Sequence, residues 1–238
     1  MLLPSSVVLT KVGPIQGFKK QLTNADLAID FFLGIPYAAP PVGGRRWQSP
    51  QPLDSWTENR NCFDFAADFP QASNPLFRAP NQSEDCLYLN VWAPELKQAQ
   101  KLPVMVWIHG GGFVGGSGSD QRSDGALMAA KGVVVVSFNY RSGVFGFLAH
   151  PELSAESELK VSGNYGLQDQ IAALNSITHD AAHTALSDTQ AVLGMAKLIK
   201  EKAPNLWTAS LMTCSKIDIN QIVEKEKIFY YNKNQSFI

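Results

Sequence analysis

The stretch VMVWIHGGGFVGGSGS, residues 104–119, constrains the fold more than any other, because an uninterrupted apolar run breaks directly into a glycine-dense turn. Val104, Met105, Val106, Trp107 and Ile108 include no polar residue, which is the pattern of a parallel strand covered on both faces. A central strand of an α/β sheet is therefore expected here. His109, Gly110, Gly111, Gly112 and Phe113 follow at once. Successive glycines remove every Cβ that would hold other atoms off the backbone, so their N–H groups can converge on a small anionic group. Such donors form an oxyanion hole, which meets the charge that develops on a carbonyl oxygen under nucleophilic attack. A glycine triplet alone is equally a surface turn without chemistry, and its context has to decide between the two.

The context is that of an α/β sheet. Ser123 or Asp124 can cap a short helix through Ala130 that stops at Gly132, and residues 133–138 then read as a second buried strand. Strand, helix and strand at this spacing make a βαβ unit with a right-handed crossover. Upstream, residues 7–35 alternate in short stretches between Gly13, Pro14, Gly17 and Gly34, predicting an antiparallel start to the sheet. Prolines and glycines from Pro36 to Pro50 make residues 36–53 an irregular but ordered loop. Leu87, Leu89 and Val91 alternate with Tyr88, Asn90 and Trp92, predicting a strand with two packed faces.

Four segments, FFLGIPYAAPPVGGRRWQSPQPLDSW (31–56), SEDCLYLNVWAP (83–94), NYRSGVFGFLAHP (139–151) and GNYGLQDQIAAL (163–174), together with the glycine loop, resemble the type-B carboxylesterase and cholinesterase family of α/β-hydrolases. The resemblance covers residues 13–174, with Ser142 and Gln168 standing at positions that are usually apolar. It implies ester hydrolysis through a serine acyl-enzyme, with Gly111 and Gly112 as oxyanion donors. It also implies a buried ion pair of Glu84 with Arg46, read as structural. The family's disulfide partner for Cys86 would stand at Phe69, and Cys62 lies seven residues earlier. That departure favours a reduced Cys86; a Cys62–Cys86 disulfide is conceivable, but three cysteines in 238 residues favour buried free thiols.

The family's nucleophile lies in a Gly-x-Ser-x-Gly elbow, whose glycines permit a strained turn. Residues 175–238 hold one glycine, Gly194, and so cannot contain it. Gly115-Gly116-Ser117-Gly118-Ser119 fails at its last position, and Ser117 is read as part of the loop. His109 and His150 are read as packing residues, because a working site needs nucleophile, base and orienter within reach of one another. These 238 residues are accordingly expected to be inactive alone.

The tail differs in character. Val192, Met195 and Ile199 lie on one side of a predicted helix over 188–202; Asp218 caps another through Lys225, and residues 228–231 read as a strand. The segment THDAAHTALSDTQAVLGMAKLIKEKAPNLW (178–207) resembles the third motif region of DEDD-type exonucleases, bacterial exonuclease I in particular. There His183 and Asp188 match a general base and a metal-binding carboxylate. Two-metal hydrolysis needs several gathered carboxylates, and the upstream acidic motifs give way here to esterase sequence, so nuclease activity is not expected.

The expected fold class is α/β: an incomplete α/β-hydrolase sheet over 1–174, followed by a short, mainly helical tail over 175–238. Such a sheet exposes a strand edge and apolar surface, which predicts a poorly soluble or partly ordered chain. The expected partner is a small-molecule carboxylic ester if the fold were complete, with no cofactor and no metal. A net charge of -1 offers no excess of Lys and Arg for nucleic acid, and the apolar runs are too short for a membrane span. The start MLLPSSVVLTK lacks the regions of a signal peptide, so a cytoplasmic location is expected, the alternative being a protein whose leader has been removed. Two further readings stay open: a non-catalytic esterase-like binding module, and an accidental joining of esterase and exonuclease fragments without a selected function.

Overall fold

The first part of the chain forms three strands, β1 (Leu3–Leu9), β2 (Pro14–Gln21) and β3 (Ala28–Pro36), paired antiparallel in chain order. The computed structural model describes residues 3–22, 28–95, 102–158 and 160–177. All lie in the first of the chain's two units, Met1–Thr184. Thr10 closes the β1–β2 turn, its Oγ1 donating to the Gly13 carbonyl at 2.6 Å and accepting from the Gly13 N–H at 3.1 Å. The register pairs Phe18 with Phe31, and their rings stack with centroids 4.8 Å apart.

The loop after β3 is irregular as expected, with one 3-10 turn at Gly43–Arg45. A two-residue strand, β4 (Arg60–Asn61), then runs parallel beside β2. Strand β5 (Tyr88–Pro94) pairs antiparallel with β3 on one side and with β7 (Val134–Phe138) on the other. Strand β6 (Val104–Ile108) lies parallel to β7, so the sheet order is β1-β2-β3-β5-β7-β6 with β4 beside β2. Between β6 and β7 stands α1 (Ala126–Ala129), and after β7 come α2 (Gly143–Phe147), α3 (Pro151–Glu156) and α4 (Tyr165–Ile177).

Adjacent residues of β7 show why both sheet faces are covered. Val135 joins Trp92, Phe31, Ala126 and Ala129 in the core beneath α1, whereas Val136 and Phe138 join Leu89, Tyr37 and Ala173 in the core beneath α4. Side chains alternate across a strand, so α1 and α4 pack on opposite faces. The N-cap of α1 is Gly125, not either of the two expected residues; Asp124, one residue earlier, accepts from the Ala126 N–H at 2.9 Å through Oδ1, while the Ser123 hydroxyl turns back to the Asp120 carbonyl. The helix ends one residue earlier than predicted.

Strand β6 is parallel and apolar as expected, and, as an incomplete sheet implies for a strand of central type, it stands at the edge of the described sheet, half-exposed throughout. An apolar run reports a preference for burial and says nothing about which neighbour is present. The predicted helices over 188–202 and through Lys225, the strand at 228–231, Cys214 and the exonuclease-like segment lie outside the described residues. Among the described residues, no helix is long and apolar enough to cross a membrane.

Candidate functional site

The glycine loop leaves the carboxyl end of β6, where His109 anchors it. His109 is buried, its ring stacked on Tyr140 with centroids 4.2 Å apart, and the Tyr140 hydroxyl donates to the His109 carbonyl at 2.8 Å. Burial holds the imidazole pKa below its ordinary value. His109 is thus a neutral packing residue. His150 is also structural, its Nδ1 accepting from the Glu152 N–H at 3.3 Å to cap α3.

Beyond His109 the backbone needs glycine. Gly111 has φ +130°, and a Cβ there would stand 1.9 Å from the Gly115 carbonyl oxygen. That approach is a turn: the Val114 and Gly115 N–H groups both donate to the Gly111 carbonyl, at 3.1 and 3.2 Å. Gly112 has φ +62° and open space where a Cβ would be. Among the described residues, none accepts a hydrogen bond from the N–H of Gly111 or Gly112. The turn continues through Phe113 at φ +60°, whose ring lies against Phe147 with centroids 4.6 Å apart and whose carbonyl accepts from the Gly143 N–H. Two adjacent backbone donors left open in a turn form a concavity suited to an anionic oxygen.

The returning limb of the loop is fixed by polar residues that sequence reasoning missed. Gln71 holds Gly116 at both ends, accepting from its N–H at 2.8 Å and donating to its carbonyl at 2.7 Å. The Ser117 hydroxyl donates to Asp68 Oδ1 at 2.6 Å, and Ser119 lies 2.7 Å from Ser117. Asn139 bridges the limb to Asp68, accepting from the Gly118 N–H at 2.8 Å and donating to Asp68 Oδ1 at 3.2 Å. Ser137 donates to the Gly118 carbonyl at 2.6 Å. Burial pushes the Asp68 carboxyl up to about 6, against the lowering effect of the bonds from Ser117 and Asn139. Ser117 therefore fastens the loop, as the reading against a nucleophilic role expected. A signal existed for Ser137 and Asn139, two polar residues continuing the apolar run of β7, but none marked Asp68 as their partner.

Two ion pairs support the surroundings. Arg141 grips Asp169 with Nε and Nη2, each at 2.8 Å, and also donates its backbone N–H; both side chains are buried. Its Nη2 further bonds the Gln48 carbonyl, so one guanidinium joins the end of β7, α4 and the long loop. Arg46 and Glu84 pair at 2.5 and 2.6 Å as the family resemblance implied, but partly exposed rather than buried. Cys62 and Cys86 are free, buried thiols, and burial pushes Cys62 up to about 11 and Cys86 well above its usual range. Among the described residues no serine hydroxyl bonds a histidine ring. The loop can offer donors to an oxyanion; the pair that would attack a carbonyl is not assembled there.

Known proteins place the chain. A family model described as the carboxylesterase family matches residues 4–183. The chain is 47% identical over 179 residues to a fumonisin B1 esterase of Sphingopyxis macrogoltabida, covering 74% of this chain and 32% of that protein. It is 43% identical over 173 residues to the para-nitrobenzyl esterase of Bacillus subtilis (strain 168), covering 71% and 33%. A solved thermophilic PNB esterase superposes with a TM-score of 0.62 at 41% identity, over 72% of this chain and 34% of that one. The chain thus spans about a third of the length of these relatives. A family match over residues 4–183, with the fold shared with a solved esterase at 41% identity, shows that the protein belongs to the carboxylesterase family.

Proposed function

We propose that this chain carries the oxyanion-binding part of a carboxylic ester hydrolase that works through a serine acyl-enzyme. The observation that carries the reading is the open pair of backbone donors at Gly111 and Gly112, held in left-handed backbone at the carboxyl end of β6. As a serine attacks an ester carbonyl, charge moves onto the carbonyl oxygen, and each aligned N–H lowers the barrier by about 3 kcal/mol. The loop is pinned at both limbs, by Tyr140 on His109 and by Gln71, Asn139 and Ser117 on residues 116–118, so the donors need no reorganisation during reaction. Relatives named as esterases support this class of substrate.

The 238 residues hold no Gly-x-Ser-x-Gly. On this reading the chain alone shows neither burst release from p-nitrophenyl butyrate nor labelling by a serine-directed phosphonate. The esterase reading itself is tested in a hybrid, with residues 4–177 replacing the matching segment of the Bacillus subtilis para-nitrobenzyl esterase. The hybrid should hydrolyse p-nitrophenyl butyrate, and Gly112→Val in it should lower kcat by about 100-fold or more. A folded hybrid without turnover, or one indifferent to Gly112→Val, overturns the proposal.

A further inference from the structure

A hollow in the sheet face beneath α1 lies apart from the glycine loop. The strand register sets Phe18 on β2, Phe31 on β3 and Trp92 on β5 side by side in one row, and all three belong to the core cluster on that face. Phe65 stands beside the row, its ring tilted against Trp92 with centroids 6.3 Å apart. These four rings line a cavity of about 270 Å³, to which residues 109–119 contribute nothing. Its floor is flat and aromatic.

The rim is charged, and the charges do not cancel. Arg78 lies over the Phe65 ring, its Cζ 4.5 Å from the centroid, and pairs with Asp124; both line the cavity, and together they are neutral. Lys20 follows Phe18 by two residues on β2, so alternation puts it on the same face. It lines the cavity too, and among the described residues no carboxylate pairs with it. Its neighbour Lys19, on the opposite face, is taken by Glu95. One uncompensated positive charge thus stands at the mouth of an aromatic hollow.

That combination selects a ligand chemistry. A flat ring laid on Phe31 and Trp92 leaves water and gains ring-to-ring contact that an alkyl chain does not. An anionic group on that ring meets the Lys20 ammonium in a charge-assisted hydrogen bond. A cationic ligand would also suit the ring faces, but Lys20 repels it. The volume falls just below the range of about 300–1,000 Å³ typical of sites for drug-sized ligands, so the occupant is small.

We propose that this cavity binds a small aromatic monocarboxylate of one or two fused rings, with the ring against Phe31 and Trp92 and the carboxylate accepting from Lys20 Nζ. The site involves no covalent step and does not depend on the esterase reading, because no residue of the oxyanion loop takes part.

The test is titration of 2-naphthoate into the full 238-residue chain, isotope-labelled and followed by amide chemical shifts. Saturable one-to-one binding with a Kd of about 1 mM or tighter is expected, with the shifts concentrated at residues 18–20, 31–33 and 92. Lys20→Met should raise Kd about 10-fold, while Lys11→Met, in the β1–β2 turn at the other end of β2, should leave it unchanged. On the parent chain, which needs no variant to fold, neutral 2-naphthamide should bind about 10-fold more weakly than 2-naphthoate. Absence of saturable binding, a Kd indifferent to Lys20→Met, equal binding of 2-naphthamide, shifts confined to other strands, or tighter binding of octanoate than of 2-naphthoate would each overturn the proposal. Turnover of p-nitrophenyl butyrate by the hybrid esterase is a separate readout, so the two readings can fail independently.

Discussion

Ser117 Oγ donates to Asp68 Oδ1 at 2.6 Å, and this bond ties the returning limb of the glycine loop to a carboxyl group buried under it. Burial raises that carboxyl to about 6 from a normal 3.8. The folded state therefore holds a proton that the unfolded state releases between those values. The stability this contributes is complete below the unfolded value and is lost as pH rises through about 6. Asp68→Asn keeps an Oδ1 acceptor for Ser117 and Asn139 without the charge. Its stability relative to the parent chain should therefore rise by about 3 kcal/mol between acid and neutral pH. Urea midpoints of the two proteins at about pH 4 and about pH 7.5 measure this, and other carboxylates cancel in the difference. An equal difference at both pH values would refute the assignment.

The two ion pairs should respond very differently to truncation. Asp169→Ala leaves the Arg141 guanidinium buried without its carboxylate, a loss of about 3–5 kcal/mol. Glu84→Ala removes a partner from the partly exposed Arg46, which water can solvate, and should shift the midpoint far less. Paired urea melts check the order, and equal shifts would mean that Arg141 finds another partner or solvent.

Cys62 and Cys86 should be chemically silent in the folded chain. A thiolate is the reacting species, and burial keeps both thiols protonated, Cys62 up to about 11. Iodoacetamide at about pH 8 followed by peptide mapping should leave both unlabelled in the native protein and label both in denaturant. Rapid native labelling, or a peptide linked through both residues, would contradict the structure.

How much of this was legible follows from what kind of information each feature needs. The strands around Leu89 and Val135 show themselves by alternation and by apolar runs, which are local. The Asp124 bond to the Ala126 N–H at the start of α1 is local too, spanning two residues. The position of β6 at an edge is not local, because the same VMVWI pattern serves a central strand once a neighbour is added. Least legible was the network under the loop: Ser117 and Asp68 are 49 residues apart and Asn139 and Asp68 are 71 apart, and no spacing rule joins them. Gly111 and Gly112 are singled out as candidates by their sequence context, yet their unequal surroundings, one crowded and one open, belong to the folded turn.

That inequality supplies the last prediction. A Cβ at Gly111 meets the Gly115 carbonyl at 1.9 Å, and both atoms are backbone, so the turn must open and give up the bonds from Val114 and Gly115. Strain of about 1–3 kcal/mol and two lost hydrogen bonds of about 1 kcal/mol each put Gly111→Ala at roughly 3–5 kcal/mol. At Gly112 nothing lies within 4 Å, and the penalty is the left-handed backbone alone. Gly112→Ala should then cost about 1–2 kcal/mol. Urea melts of the two single variants rank them directly. If Gly112→Ala proved the more damaging, space around it would be filled in solution, and its N–H would no longer stand open to a substrate oxygen.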